Sequence, residues 1–202
     1  MKLLQKVKEK LEDPLATFKL FERSIAITCI AIPAILRLTD TLPDGGRAIS
    51  FRPSISEYVY MPHSYVFGML LMMASMLFIF NGAVYFKNQN QPQLILDKSG
   101  KWYNVALGLS LVGVIIFPCK QFTITHMIFA VLFFAGNAVV TGMFYQKRNR
   151  VISILLAILT LATLIPVKLN IFTLFWGEWM SLTVIGIHFI LESRGDIGRR
   201  LK

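Results

Sequence analysis

The chain is poor in acid, in histidine and in cysteine. Its 202 residues hold 11 Asp and Glu against 21 Lys and Arg, with only 3 His. Charged residues make up 16%, well under the roughly 25% of an average soluble domain. The two cysteines, Cys29 and Cys119, lie far apart, which excludes a disulfide framework and any Cys-based metal spacing. There is no H-E-x-x-H, and no two of Asp40, His63, His126 and Glu178 fall at i, i+3 or i+4. None of these four therefore shares a helix with another as a zinc-ligand pair, and no metal is expected. A Gly-rich phosphate loop, a serine nucleophile elbow and a C-x-x-C pair are also missing, so no cofactor can be named.

What is present is apolar. Hydrophobic residues reach 55% and aromatics 12%, with 16 Phe. Such a composition belongs to an all-α polytopic membrane protein, with no room for a separate soluble domain. The organising stretch is Arg52–Phe86. It opens as a polar approach carrying Glu57 and His63 and continues as an uncharged run, Ser64–Phe86, long enough to cross a bilayer. The approach itself must stay out of hydrocarbon, where irregular backbone would leave N–H and C=O groups unpaired.

Six spans are expected: Ser24–Leu38 (with Thr17–Phe21 to complete its length), Ser64–Phe86, Trp102–Pro118, Phe122–Tyr145, Val151–Val167 and Asn170–Leu191. The bundle occupies residues 14–192, preceded by a short amphipathic helix over Met1–Asp13 and followed by a basic tail, residues 193–202. In the first segment Leu3, Leu4, Val7 and Leu11 form one stripe, and Lys2, Lys6, Lys8 and Lys10 fill the other side. Asp13-Pro14 reads as an N-cap followed by proline at the first helical position. Pro33 is expected to kink the first span. Within Thr41–Pro62, the alternation in Ala48–Phe51 and Tyr58–Met61 suggests a small hairpin lid.

Six spans put both termini on one side of the membrane. That side collects sixteen of the Lys and Arg and the other only five, so the positive-inside rule places both termini in the cytoplasm. The net charge of +10 is then a topology signal and an attraction to anionic headgroups. No nucleic-acid motif accompanies it. The expected location is a plasma or inner membrane, with the lipid bilayer as first partner.

The candidate site lies at the other end of the spans. Arg37 and Asp40, at i, i+3, are expected to pair at the end of the first span. Glu57 and His63 lie at the mouth of the second, and His126 opens the fourth. Counting from Asn170, Glu178 sits roughly 12 Å down the sixth span. A carboxylate at that depth needs a partner, a wet cavity or a proton. It should therefore face the interior, with Arg37 or His126 as partner. These six residues are the proposed ligand-binding set, arranged around an outward-facing polar pocket. His188, deeper by ten residues, cannot join them. Asn81 and Asn137 are expected to hydrogen-bond between helices, and small-xxx-small pairs such as Gly177 and Ser181 to allow close internal packing.

The layout resembles a known family. The first external loop ends Pro53-Ser54-Ile55-Ser56-Glu57 and the second span follows directly; Phe117-Pro118 precedes His126 at the head of the fourth. In these features the chain is similar to the Frag/DRAM/Sfk-type superfamily and related bacterial six-span proteins. The resemblance implies a six-helix bundle and a lipid-related role, and brings no catalytic set with it. Three classes of function fit: a protein that binds or senses a lipid or small ligand, a membrane-embedded lipid hydrolase or lipid-modifying enzyme, and an assembly subunit working with other membrane proteins.

Overall fold

The computed structural model describes residues 14–42, 45–46, 48–87, 102–143 and 149–194. The expected amphipathic helix over Met1–Asp13, its Asp13 cap, the loop up to Lys101 and the tail beyond Arg194 lie outside the described residues. Within them the protein is all-helical. The long helices are α1 (Pro14–Thr39), α2 (Ser64–Lys87), α3 (Trp102–Ile116), α4 (Thr123–Met143) and α5 (Arg150–Ala162). After the single turn α6 (Ile165–Lys168) comes α7 (Leu174–Arg194), the last of the described helices. Four helical stretches are long and apolar enough to cross a membrane: Ser64–Ala83, Thr123–Met143, Arg150–Lys168 and Leu174–Arg194. They mark a membrane protein.

Each helix packs on its neighbour in sequence, and α7 returns to α1. The faces follow helical spacing. On α2, Phe67, Leu71, Ala74 and Phe78 are buried at i, i+4, i+7 and i+11, while Met69, Met72, Met73 and Met76 stay exposed. Phe78 meets Phe133 of α4 and Phe189 of α7 edge-to-face at 5.6 and 5.4 Å, joining three helices at the centre. Where α2 meets α3, a glycine lets the backbones approach. A Cβ at Gly108 would stand 2.8 Å from the Ser75 carbonyl, and the Ser75 hydroxyl donates to the Gly108 carbonyl at 2.8 Å.

Several expectations change in detail. The fifth span is broken at Thr163–Leu164, because Pro166 has no N–H to give the carbonyl four residues back. Asn170 belongs to the following turn, with φ 56°, a left-handed conformation that asparagine tolerates. The last helix therefore starts at Leu174. The suggested hairpin lid is absent: Ser56–Tyr60 is a 3₁₀ turn, so Tyr58–Met61 does not run extended.

Candidate functional site

Residues 48–62 form a cap over one end of the bundle, tied to it from several sides. Arg52 closes the first tie with a two-pronged contact to Asp40 at the end of α1, Nε and Nη2 each 2.9 Å from a carboxylate oxygen. The Arg52 guanidinium lies 5.7 Å from the Tyr58 ring centre. Burial pushes the Tyr58 phenol up from its ordinary value, and the Asp40 charge adds to this, so it stays neutral. Glu57 pairs with Lys120 in the α3–α4 turn at 3.0 Å, and the Tyr60 hydroxyl accepts the Lys120 backbone N–H at 2.9 Å. The Phe175 N–H at the start of α7 donates to the Pro53 carbonyl at 2.7 Å.

Two ties reach inward through the Ser54-Ile55-Ser56 segment. The Ile55 backbone N–H donates to Glu178 Oε2 at 2.6 Å. The Ser56 hydroxyl lies 2.9 Å from His126 Nε2, and His126 Nδ1 lies 2.8 Å from the Phe117 carbonyl. A carbonyl only accepts, so Nδ1 carries a proton, and in the neutral ring Nε2 has a lone pair to offer. Nε2 is then the acceptor and Ser56 the donor. This is the contact a serine and its general base would make, with a backbone carbonyl orienting the imidazole. Both side chains are buried.

Beneath this segment is a cavity of about 50 Å³. Its walls come from α1 (Thr28, Cys29, Ile32), α2, α3, α4 and α7, and its roof from Ile55 and Ser56. They are almost wholly apolar, and Glu178 is the one ionisable carboxyl among them. Pro33, inside the continuous α1, has no N–H to give the Cys29 carbonyl beside the cavity.

The six expected site residues thus share one end of the bundle but do not converge on a polar pocket. Glu178 faces the interior, 7% exposed, yet its partner is the Ile55 N–H and neither Arg37 nor His126. It stands four residues into α7, roughly 6 Å from the helix start, nearer the end than a count from Asn170 gives. Asp40 pairs with Arg52 and not with Arg37. Arg37 donates to the Ile49 carbonyl at 3.1 Å and lies over Phe51. His63 is exposed, its ring edge toward Tyr65. Arg52 and Ser56 are the functional groups that pattern reading left out of the site. The only advance signal for Ser56 was its place in the Pro53–Glu57 motif.

The opposite end holds a second set of buried polar groups. Asn104 Nδ2 donates to Asn81 Oδ1 at 2.5 Å between α3 and α2, as expected for Asn81. Asn137 instead donates back to the Phe133 carbonyl of its own helix. His188 lies 3.6 Å from Glu192 one turn on. Glu22 of α1 is only 1% exposed, a buried acidic residue that the helical pattern did not single out. Among the described residues no three His, Cys, Asp or Glu come together in a way that could hold a metal ion.

Residues 31–193 match the model of a family of unknown function, DUF7103, and the chain belongs to that family. The match takes in the cap, the cavity walls from Ile32 onward, and both His126 and Glu178. No curated protein and no solved structure matches the chain.

Proposed function

We propose that this member of DUF7103 is a six-span integral membrane protein that binds or senses a lipid or small apolar ligand in the cavity beneath the cap. The observation that carries this reading is the cavity itself. Its walls are almost wholly apolar, with the Glu178 carboxyl among them and the Ser56 hydroxyl at the roof, so an apolar body with one hydrogen-bonding end would suit it. Well-packed interiors have few voids larger than a water, and a cavity of about 150 Å³ takes up benzene. At about 50 Å³ this one suits a few carbon atoms: the end of an acyl chain or a very small molecule. Larger occupants need the cap to lift.

The test is a phospholipid carrying a photoreactive diazirine at its chain terminus. Crosslinks should concentrate on Leu71, Leu111 and Phe134, and Ala74→Phe, which fills the cavity, should abolish them. Crosslinks confined to exposed Met69, Met73 and Leu155, unchanged by Ala74→Phe, would overturn the reading. Cys29 in the wall offers a second readout, since occupancy should slow its reaction with N-ethylmaleimide and leave Cys119 unaffected.

The six-span topology is supported by six helices, of which three are long and apolar enough to cross a membrane and a fourth, α5, is so together with α6, and by the sixteen-to-five division of Lys and Arg. It puts the cap outside and both termini in the cytoplasm of a plasma or inner membrane. Cysteines placed in the cap should react with an impermeant thiol reagent on intact cells, and those placed in 144–150 should not. The reverse pattern would refute this orientation.

One observation favours a second reading, a membrane-embedded hydrolase of lipid esters: the Ser56–His126 contact at the cavity roof. Ser56 Oγ would attack an ester carbonyl while His126 Nε2 takes its proton and passes it to the leaving alcohol. A fluorophosphonate probe should then label Ser56 and lose that label in His126→Phe. Absence of labelling in the intact protein would leave ligand binding as the better account.

A further inference from the structure

Arg37 lies in the last turn of α1 and has no carboxylate partner among the described residues. The other two arginine and lysine side chains that hold the cap, Arg52 and Lys120, each meet one. Asp40, which helical spacing offers to Arg37, gives both oxygens to Arg52. Arg37 uses one N–H on the Ile49 carbonyl and sets its guanidinium 5.0 Å from the centre of the Phe51 ring. A guanidinium carries five N–H donors in a rigid fork, so most of them remain unspent.

The ring under Arg37 is the start of an aromatic shelf. Phe51 meets Trp176 at 4.9 Å, and Trp176 stacks on Trp179 at 5.4 Å with 16° between the planes. Phe51 and Trp176 are 39% and 38% exposed, and Leu38 beside Arg37 is 71% exposed. Trp179 donates its Nε1–H to the Ile30 carbonyl, which carries the shelf onto the α1–α7 seam. A cation with no carboxylate partner among the described residues is therefore set at a helix end, above a surface that water does not favour.

We propose that Arg37 and this shelf bind a membrane phospholipid. The phosphodiester takes the free donors of Arg37 in the paired geometry that guanidinium offers to phosphate. The glycerol and upper chain rest on Trp176 and run down the seam past Ile30. Indole rings at the headgroup level suit this arrangement. A free anion would gain from Arg37 but not from the aromatic and aliphatic surface, which is why the lipid is the better fit. The inference depends on the membrane reading of the helices and not on the cavity.

Native mass spectrometry of the detergent-purified full chain, titrated with palmitoyl-oleoyl-phosphatidylglycerol, tests it. The parent should retain one lipid more tightly than the rest, and Arg37→Gln should weaken that site by about tenfold. Arg37→Lys should fall between the two, because it keeps the charge and loses the fork. Neither dioleoylglycerol, which has no phosphate, nor millimolar inorganic phosphate should displace the lipid. Trp176→Leu, at an exposed position that leaves Arg37 intact, should weaken binding on the order of threefold and covers the case in which Arg37→Gln fails to fold. Unchanged affinity in the folded variants would overturn the proposal, and displacement by inorganic phosphate would make this a free-anion site.

Discussion

The cap and helix α5 are both rich in residues that pattern reading handles easily, yet they use them in opposite ways. The cap is polar and short, and its hydrogen bonds run to α1, α4, α7 and the α3–α4 turn. Of the four candidate spans, Arg150–Lys168, which contains α5, has the highest mean hydropathy, 2.3, and yet is the least buried, at 17%. It packs on α4 and α7 but contributes nothing to the cavity wall. What α5 buries is Ser153 and Thr160, while Val151, Leu155 and Ile158 face outward. Where lipid replaces water, apolar surface no longer says which side is inside. In both regions, buried polar groups mark the interior.

That contrast can be broken most sharply at Glu178. Glu178→Leu leaves the Ile55 N–H buried without an acceptor, at a cost of roughly 2–3 kcal/mol. Thermal unfolding in detergent should show it, and Glu178→Gln, which still offers an acceptor, should cost less than half as much. Equal stability of the Leu variant and the parent would mean that the cap does not depend on this tie. His126→Phe comes next. It strips partners from the Ser56 hydroxyl and the Phe117 carbonyl and should cost about 1–2 kcal/mol. It should also make Cys29 react faster with N-ethylmaleimide as the roof loosens.

On the α5 side the effects shrink. The Ser181 hydroxyl of α7 donates to the Thr160 carbonyl at 3.0 Å. Ser181→Ala should cost about 0.6 kcal/mol, the usual size of a hydrogen bond between membrane helices. Leu155→Ala, at a position 59% exposed, should change stability by less than about 0.5 kcal/mol. A larger loss at Leu155 than at Ser181 would show that this face is covered by something other than lipid.

The all-helical layout could be read in advance because the apolar stretches are long, carry few charges and are separated by turn residues. The interior position of Glu178 was also legible, since an ionised carboxyl cannot be left in hydrocarbon. Its partner was not legible. Ile55 contributes through its backbone N–H, which every residue but proline possesses, so nothing in the side-chain pattern points to it. Arg37 and Asp40 show a different limit. Helical spacing brings them within reach, but Arg52 arrives from twelve residues beyond Asp40 with a better-aligned fork. Asn137 satisfied itself within its own helix, an option always open to a short polar side chain. Glu22 was hidden because it lies among Lys19 and Arg23, where a charged residue is ordinarily taken to face water.

The Ile55–Glu178 hydrogen bond joins residues 123 positions apart, and this sets a clock on assembly. At about 5–20 residues per second of synthesis, Ile55 is made roughly 6–25 s before its acceptor exists. Throughout that interval the cap has Asp40 within reach, but its inward tie on α7 has yet to be made. Helix α7 is therefore the element whose arrival adds the Phe175 and Glu178 ties to the cap. A nascent chain stalled before Leu174 would hold the Ser54–Ser56 segment through His126 but lack its ties to Phe175 and Glu178, a form that quality control could distinguish from the finished protein.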